Sequence, residues 1–163
     1  MLSEYLKKLT AYNLWANTRM AGFITEAGTA LATLEQKSSF PSVQKTFYHI
    51  WDAEQIWLNR LTGTSMHSWP TKDFEGTLET ACAEWLRTSE AIVAYCRELN
   101  EDSAAAIIDY TNLKGAPFQN SVSEIITHCM NHSTFHRGQL ITLLRGAGFT
   151  HVASTDLITF YRS

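Results

Sequence analysis

Residues 125 to 144 read IITHCMNHSTFHRGQLITLL. Apolar residues recur there at helical spacing, and His128, His132 and His136 stand at i, i+4 and i+8, nearly one face of an α-helix. Three of the six histidines in the chain fall in this short segment. On a helical wheel at about 100° per residue, Val122, Ile125, Ile126, Cys129, Leu140, Leu143 and Leu144 define the inward direction. His136 lies roughly 30° from it, His132 roughly 70° and His128 roughly 110°, so the first two point inward and His128 leans out. An His-x-x-x-His pair projects two imidazoles the same way, one turn apart, which suits one ion of the zinc or nickel type. The same spacing also fits hydrogen-bonded core histidines. A third ligand from another helix decides between the two.

The rest of the chain bounds the answer. Its 163 residues, 45% hydrophobic and 18% charged, predict one globular domain over residues 1–163. A net charge of −3 supplies no field for nucleic acid. No apolar run reaches the roughly 20 residues of a membrane span, and MLSEYLKKLT lacks the apolar core of a signal peptide, so a cytoplasmic protein is expected. Cys82, Cys96 and Cys129 lie in helical stripes without Cys-x-x-Cys spacing and read as buried, reduced thiols.

Taken in order, residues 3–25 form a first helix whose apolar stripe contains Asn13 and Asn17. Buried amides demand partners, so both should face something polar inside the protein. Residues 26–42, with Gly28 and Pro41, read as a loop. A second helix, 42–61, carries His49 at the edge of its apolar face and Glu54 within that face. An inward carboxylate is rarely unpaired. Glu54, with Asn17 beside it, either fixes the tautomer of a metal-ligating imidazole or makes a structural ion pair or amide bond to the first helix. His67 falls in the loop 64–75 and reads as a solvated residue. A third helix follows at 77–99 with no chemistry-bearing pattern, then a hairpin-like excursion at 105–119 with a turn at 112–115. Ser121-Val-Ser-Glu124 is a capping box that opens the fourth helix.

Four long amphipathic helices predict an all-α four-helix bundle, and the long segments after the first and second helices permit crossover connections. YNLWAN (12–17), HIWDAEQIWLNRL (49–61) and NHSTFHRGQL (131–140), in that order, resemble the DinB-like bundles and the related YfiT-type metal-dependent hydrolases. The resemblance implies one divalent metal, zinc or nickel, held by His49, His132 and His136. It further implies a homodimer, and action on a small-molecule substrate, with low-molecular-weight thiols as nucleophiles in transfer or isomerisation. Members of the family often carry a histidine where this chain has Phe135, so any substrate role of that histidine is missing here.

Three neutral imidazoles leave a coordination position open for water or a substrate thiol, which is what metal-dependent thiol transfer or hydrolysis requires. The competing reading is a noncatalytic metal- or ligand-binding bundle serving a stress response. An accessible cavity at the metal favours the enzyme.

Overall fold

The computed structural model describes residues 1–163. Its helices are α1 (Leu2–Ala32), α2 (Val43–Leu61), α3 (Leu78–Arg97), the short α4 (Glu101–Ala105), α5 (Val122–Gly146) and the short α6 (Leu157–Phe160). A hairpin of β1 (Ile107–Thr111) and β2 (Pro117–Ser121) precedes α5. None of the helices is long and apolar enough to cross a membrane.

Local chemistry accounts for the boundaries. Ser42 and Thr77 cap α2 and α3 by accepting hydrogen bonds from the backbone N–H groups of Lys45 and Thr80. The box at Ser121 and Glu124 closes both ways, as the sequence predicts. In the hairpin, Tyr110 pairs with Phe118, and Asn112 Oδ1 accepts from the backbone of Lys114 and Ala116 around a positive-φ Gly115. One boundary differs from expectation. The first helix continues beyond residue 25 to Ala32, broken at Gly28 (φ 77°, ψ 168°). Glycine takes that conformation at little cost, and the alanine- and leucine-rich residues after it resume the helix, so the crossing loop begins only at residue 33.

The four long helices pack as a bundle in the cyclic order α1, α3, α2, α5, with α1 diagonal to α2. The segment between α1 and α2 therefore crosses the bundle, and that crossing brings Phe40 to the side of α2 that carries His49.

The core comes in two parts. Met20, Ile24, Phe47, Ile50, Trp85 and Leu140 belong to one apolar cluster, and Leu6, Leu61, Ile92, Ile126 and Met130 to the other. Between these two sets every long helix carries buried polar side chains: Asn13 and Asn17 on α1, Glu54 on α2, Ser89 on α3, Ser133 and Arg137 on α5.

Candidate metal centre

The polar layer is a closed hydrogen-bond network. The Glu54 carboxylate, fully buried, accepts from Asn13 Nδ2 and Asn17 Nδ2 (both 2.8 Å), Ser89 Oγ (2.6 Å) and Ser133 Oγ (2.8 Å). The two asparagine carbonyls accept in turn from Arg137 Nη1, whose guanidinium also donates to Thr134 and lies over the Tyr12 ring. A buried anion and a buried cation are thus joined through two amides, which neutralises the layer and satisfies the carboxylate. Of the two roles open to Glu54 and Asn17 in the sequence, the structure displays the hydrogen bonds to the first helix; neither residue bonds to an imidazole. The reason is register: the network surrounds Ser133 and Arg137, each one residue beyond a histidine, and so sits on a neighbouring face of α5.

On that neighbouring face, α2 and α5 bring His49, His132 and His136 together. One nitrogen from each ring lies within 4.8 Å of the others, and Nε2 of His132 stands 3.0 Å from Nε2 of His49. His128 packs on Trp57 and His67 is exposed; neither joins the cluster. His136, 7% exposed, has its Nδ1 2.7 Å from Gln139 Oε1. Because that carbonyl oxygen only accepts, Nδ1 carries the proton and the Nε2 lone pair is left free. Gln139 thereby fills the tautomer-fixing role considered for Glu54.

The donor set fits a divalent ion. Two facing imidazole nitrogens can satisfy one another only while one of them is protonated, whereas a cation between them takes a lone pair from each. His132 Nδ1 is buried without a partner, so this ring has no firmer anchor in the protein than its neighbours. The cluster contains no carboxylate, a composition suited to zinc or nickel over magnesium or calcium.

Electrostatics point the same way. Burial, followed by the proximity of His136, lowers the His49 pKa from 6.5 to about 4. Burial and the charges of His136, His49 and His128 lower that of His132 to about 3. Both rings are therefore neutral, the ligating form, at pH 7. Because the folded values lie below the unfolded one, the unfolded chain binds more protons as pH falls below about 6.5, and acid favours unfolding. The metal-free protein should lose stability from pH 6.5 down through about 4 and 3, more steeply than a His49→Asn/His132→Asn variant. Urea midpoints across this range check it, and parallel curves for the two proteins would refute it.

Access comes from outside α2. A cavity of about 410 Å³, lined by Phe40, Lys45, Tyr48, His49, Asp52, Trp69 and Thr71, opens beside His49. Phe40 stacks on His49 with ring centroids 4.3 Å apart and meets the edge of His136 at 5.7 Å. Trp69, 46% exposed, lies 6.2 Å from His49. Phe135 stands next to His136 but is 63% exposed. The three cysteines are free and buried; burial raises Cys82 and Cys96 to about 11 and Cys129 well above its ordinary value, so none is a thiolate near neutrality.

Sequence reasoning missed Arg137, Ser89, Ser133, Gln139, Phe40 and Trp69. The signal for Arg137 was present, since an inward Glu54 beside two inward asparagines asks for a cation. Phe40 and Trp69 lie in connecting segments, where periodicity carries no information.

The model of the DinB family matches residues 1–162. Protein DinB of Bacillus subtilis (strain 168) is 25% identical over 162 residues, covering 95% of this chain and 92% of the relative. The crystal structure of a DinB-like protein from Bacillus cereus ATCC 10987 superposes with a TM-score of 0.68 at 19% identity, over 88% of this chain and 91% of that one. At that identity the match speaks for the fold.

Proposed function

The chain belongs to the DinB family, and from that premise we propose that it is a metal-dependent enzyme in which His49, His132 and His136 hold one divalent ion, zinc or nickel, for thiol transfer to, or hydrolysis of, a small substrate. The observation that carries the reading is a cluster of three imidazoles, one of which, His49, lines an open cavity of about 410 Å³, with no fourth protein ligand among the residues that converge. A structural zinc site is normally closed by four protein ligands, whereas a catalytic one keeps a position for substrate or water.

A divalent ion held there supplies Lewis acidity, lowering the pKa of a bound water or thiol towards neutrality. The chain supplies the rest. Gln139 fixes His136 with its Nε2 lone pair free, and burial keeps His49 and His132 unprotonated. Phe40 covers one face of His49 and limits water on that side. Since Cys82, Cys96 and Cys129 are buried thiols with raised pKa values, the thiol in any transfer comes from a substrate.

The test is turnover by zinc- or nickel-loaded protein against low-molecular-weight thiols paired with electrophilic acceptors, alongside ester and amide substrates. Metal-dependent turnover in either panel is expected. Inactivity in both, with metal only raising the melting temperature, would leave a noncatalytic metal-binding bundle.

A further inference from the structure

We propose that the cavity beside His49 selects a small substrate with a flat apolar body and one carboxylate, which Lys45 receives one helical turn from His49. This rests on the reading of the three histidines as a metal centre and adds the class of substrate.

The walls supply the apolar part. Phe40, Tyr48 and Trp69 line the cavity together with His49, and Trp69 leaves nearly half of its surface to solvent. A flat apolar molecule laid against such rings removes apolar surface from water on both partners. At about 410 Å³ the cavity is within the range of small-ligand sites, roughly 300–1,000 Å³.

The polar inventory supplies the charge. Asp52 is committed: its two oxygens accept from the Thr71 N–H (2.7 Å) and Oγ1 (2.8 Å), which occupies Thr71 as well. His49 is turned towards His132, and the Tyr48 hydroxyl, which accepts from Gln44 Nε2, can donate a hydrogen bond but carries no charge. Lys45 remains. The ion pairs of the protein are Met1–Glu101, Lys7–Glu4, Arg87–Glu84 and His151–Glu26, so the Lys45 ammonium is the one charged group on the cavity without a partner. Lys45 and His49 are four residues apart on α2, neighbours on one helical face with Cβ atoms about 5–6 Å apart. A ligand anchored on Lys45 by its carboxylate therefore reaches the imidazole cluster within the length of a small molecule. A single lysine with no arginine fork suits a monoanion better than a phosphate. A cationic substrate meets Asp52, 6% exposed, only through oxygens already turned to Thr71, and a divalent ion at the histidines repels it.

Three probes that share a benzene ring test this: phenylacetate, 2-phenylethanol and phenethylamine. Each is titrated into the full-length protein, metal-free and zinc-loaded, with dissociation constants read from NMR shifts and from tryptophan fluorescence. In both forms phenylacetate should bind about three- to fivefold more tightly than 2-phenylethanol, the size expected of a partly exposed ion pair. Lys45→Gln should erase that preference and Lys45→Glu should turn it towards phenethylamine, with melting temperatures unchanged at this exposed position. Equal binding of the three probes, no binding of any, or a preference that survives Lys45→Gln would overturn the proposal. A preference seen only with zinc and insensitive to Lys45→Gln would place the carboxylate on the metal, refuting the role of Lys45 but not the metal centre. Conversely, failure of wild type to bind zinc in calorimetry would remove the metal centre while the metal-free titrations still decide Lys45.

Discussion

Replacing His136 with alanine is expected to cost the protein its zinc binding and any turnover that depends on it. Among the three imidazoles His136 is the most securely positioned, 7% exposed and held through Nδ1 by Gln139. Removing it leaves His49 and His132, two ligands on two helices, which do not make a tight site. Loss of a group that merely orients a ligand typically costs about 10- to 100-fold in affinity, so loss of the ligand itself should exceed about 100-fold. Gln139→Leu, which frees the tautomer but keeps the ring, should fall within the lower range. Calorimetric titration of zinc into the metal-free proteins measures both, and the metal-free melting temperature of His136→Ala checks that its fold persists. Zinc binding by His136→Ala within tenfold of wild type would show that the three imidazoles are not the ligands.

Glu54→Ala should be the most destabilising single change within the bundle. It removes an acceptor shared by four donors, leaving Asn13 Nδ2 and Ser133 Oγ unpartnered while Asn17 keeps Ser89 and Ser89 keeps the Trp85 carbonyl, and it leaves the Arg137 guanidinium, 2% exposed, without its compensating charge. Deleting one partner of a direct buried ion pair costs about 3–5 kcal/mol, and a loss of that order is expected here, where two amides bridge the charges and buried donors lose their acceptor as well. At roughly 2–4 °C per kcal/mol for a chain of this length, the melting temperature should drop by about 6–20 °C. Glu54→Gln retains acceptor capacity and should cost less. A drop of under 3 °C for Glu54→Ala in the metal-free protein would mean that water or rearranged side chains satisfy the layer without the carboxylate.

The bundle was legible because helices announce themselves by period and by caps. Ser42, Thr77 and the Ser121–Glu124 box mark real N-termini, and the three motifs around Asn13, His49 and His132 identify the family that the whole-chain match returns. The inward aim of His132 and His136, and the outward lean of His128, followed from angle alone. What stayed hidden depends on contacts between elements. Glu54 was visibly inward, but its partners were not, because the cation that balances it lies on another helix far along the chain. Phe40 reaches His49 only through a crossover whose path no local pattern encodes. Residues 26–42, with Gly28 among them, read as a loop from sequence, whereas a single positive φ at Gly28 sufficed for the turn and the helix resumed after it.

The layer around Glu54 also sets an order of events during synthesis. α1, α2 and α3 leave the ribosome before α5, and with them come Asn13, Asn17, Glu54 and Ser89. Until Ser133 and Arg137 follow, a closed three-helix intermediate would have to bury a carboxylate without its cation, which disfavours early compaction. The last long helix therefore acts as the latch. Since that same helix brings two of the three clustered histidines, the cluster assembles only once the finished chain has folded.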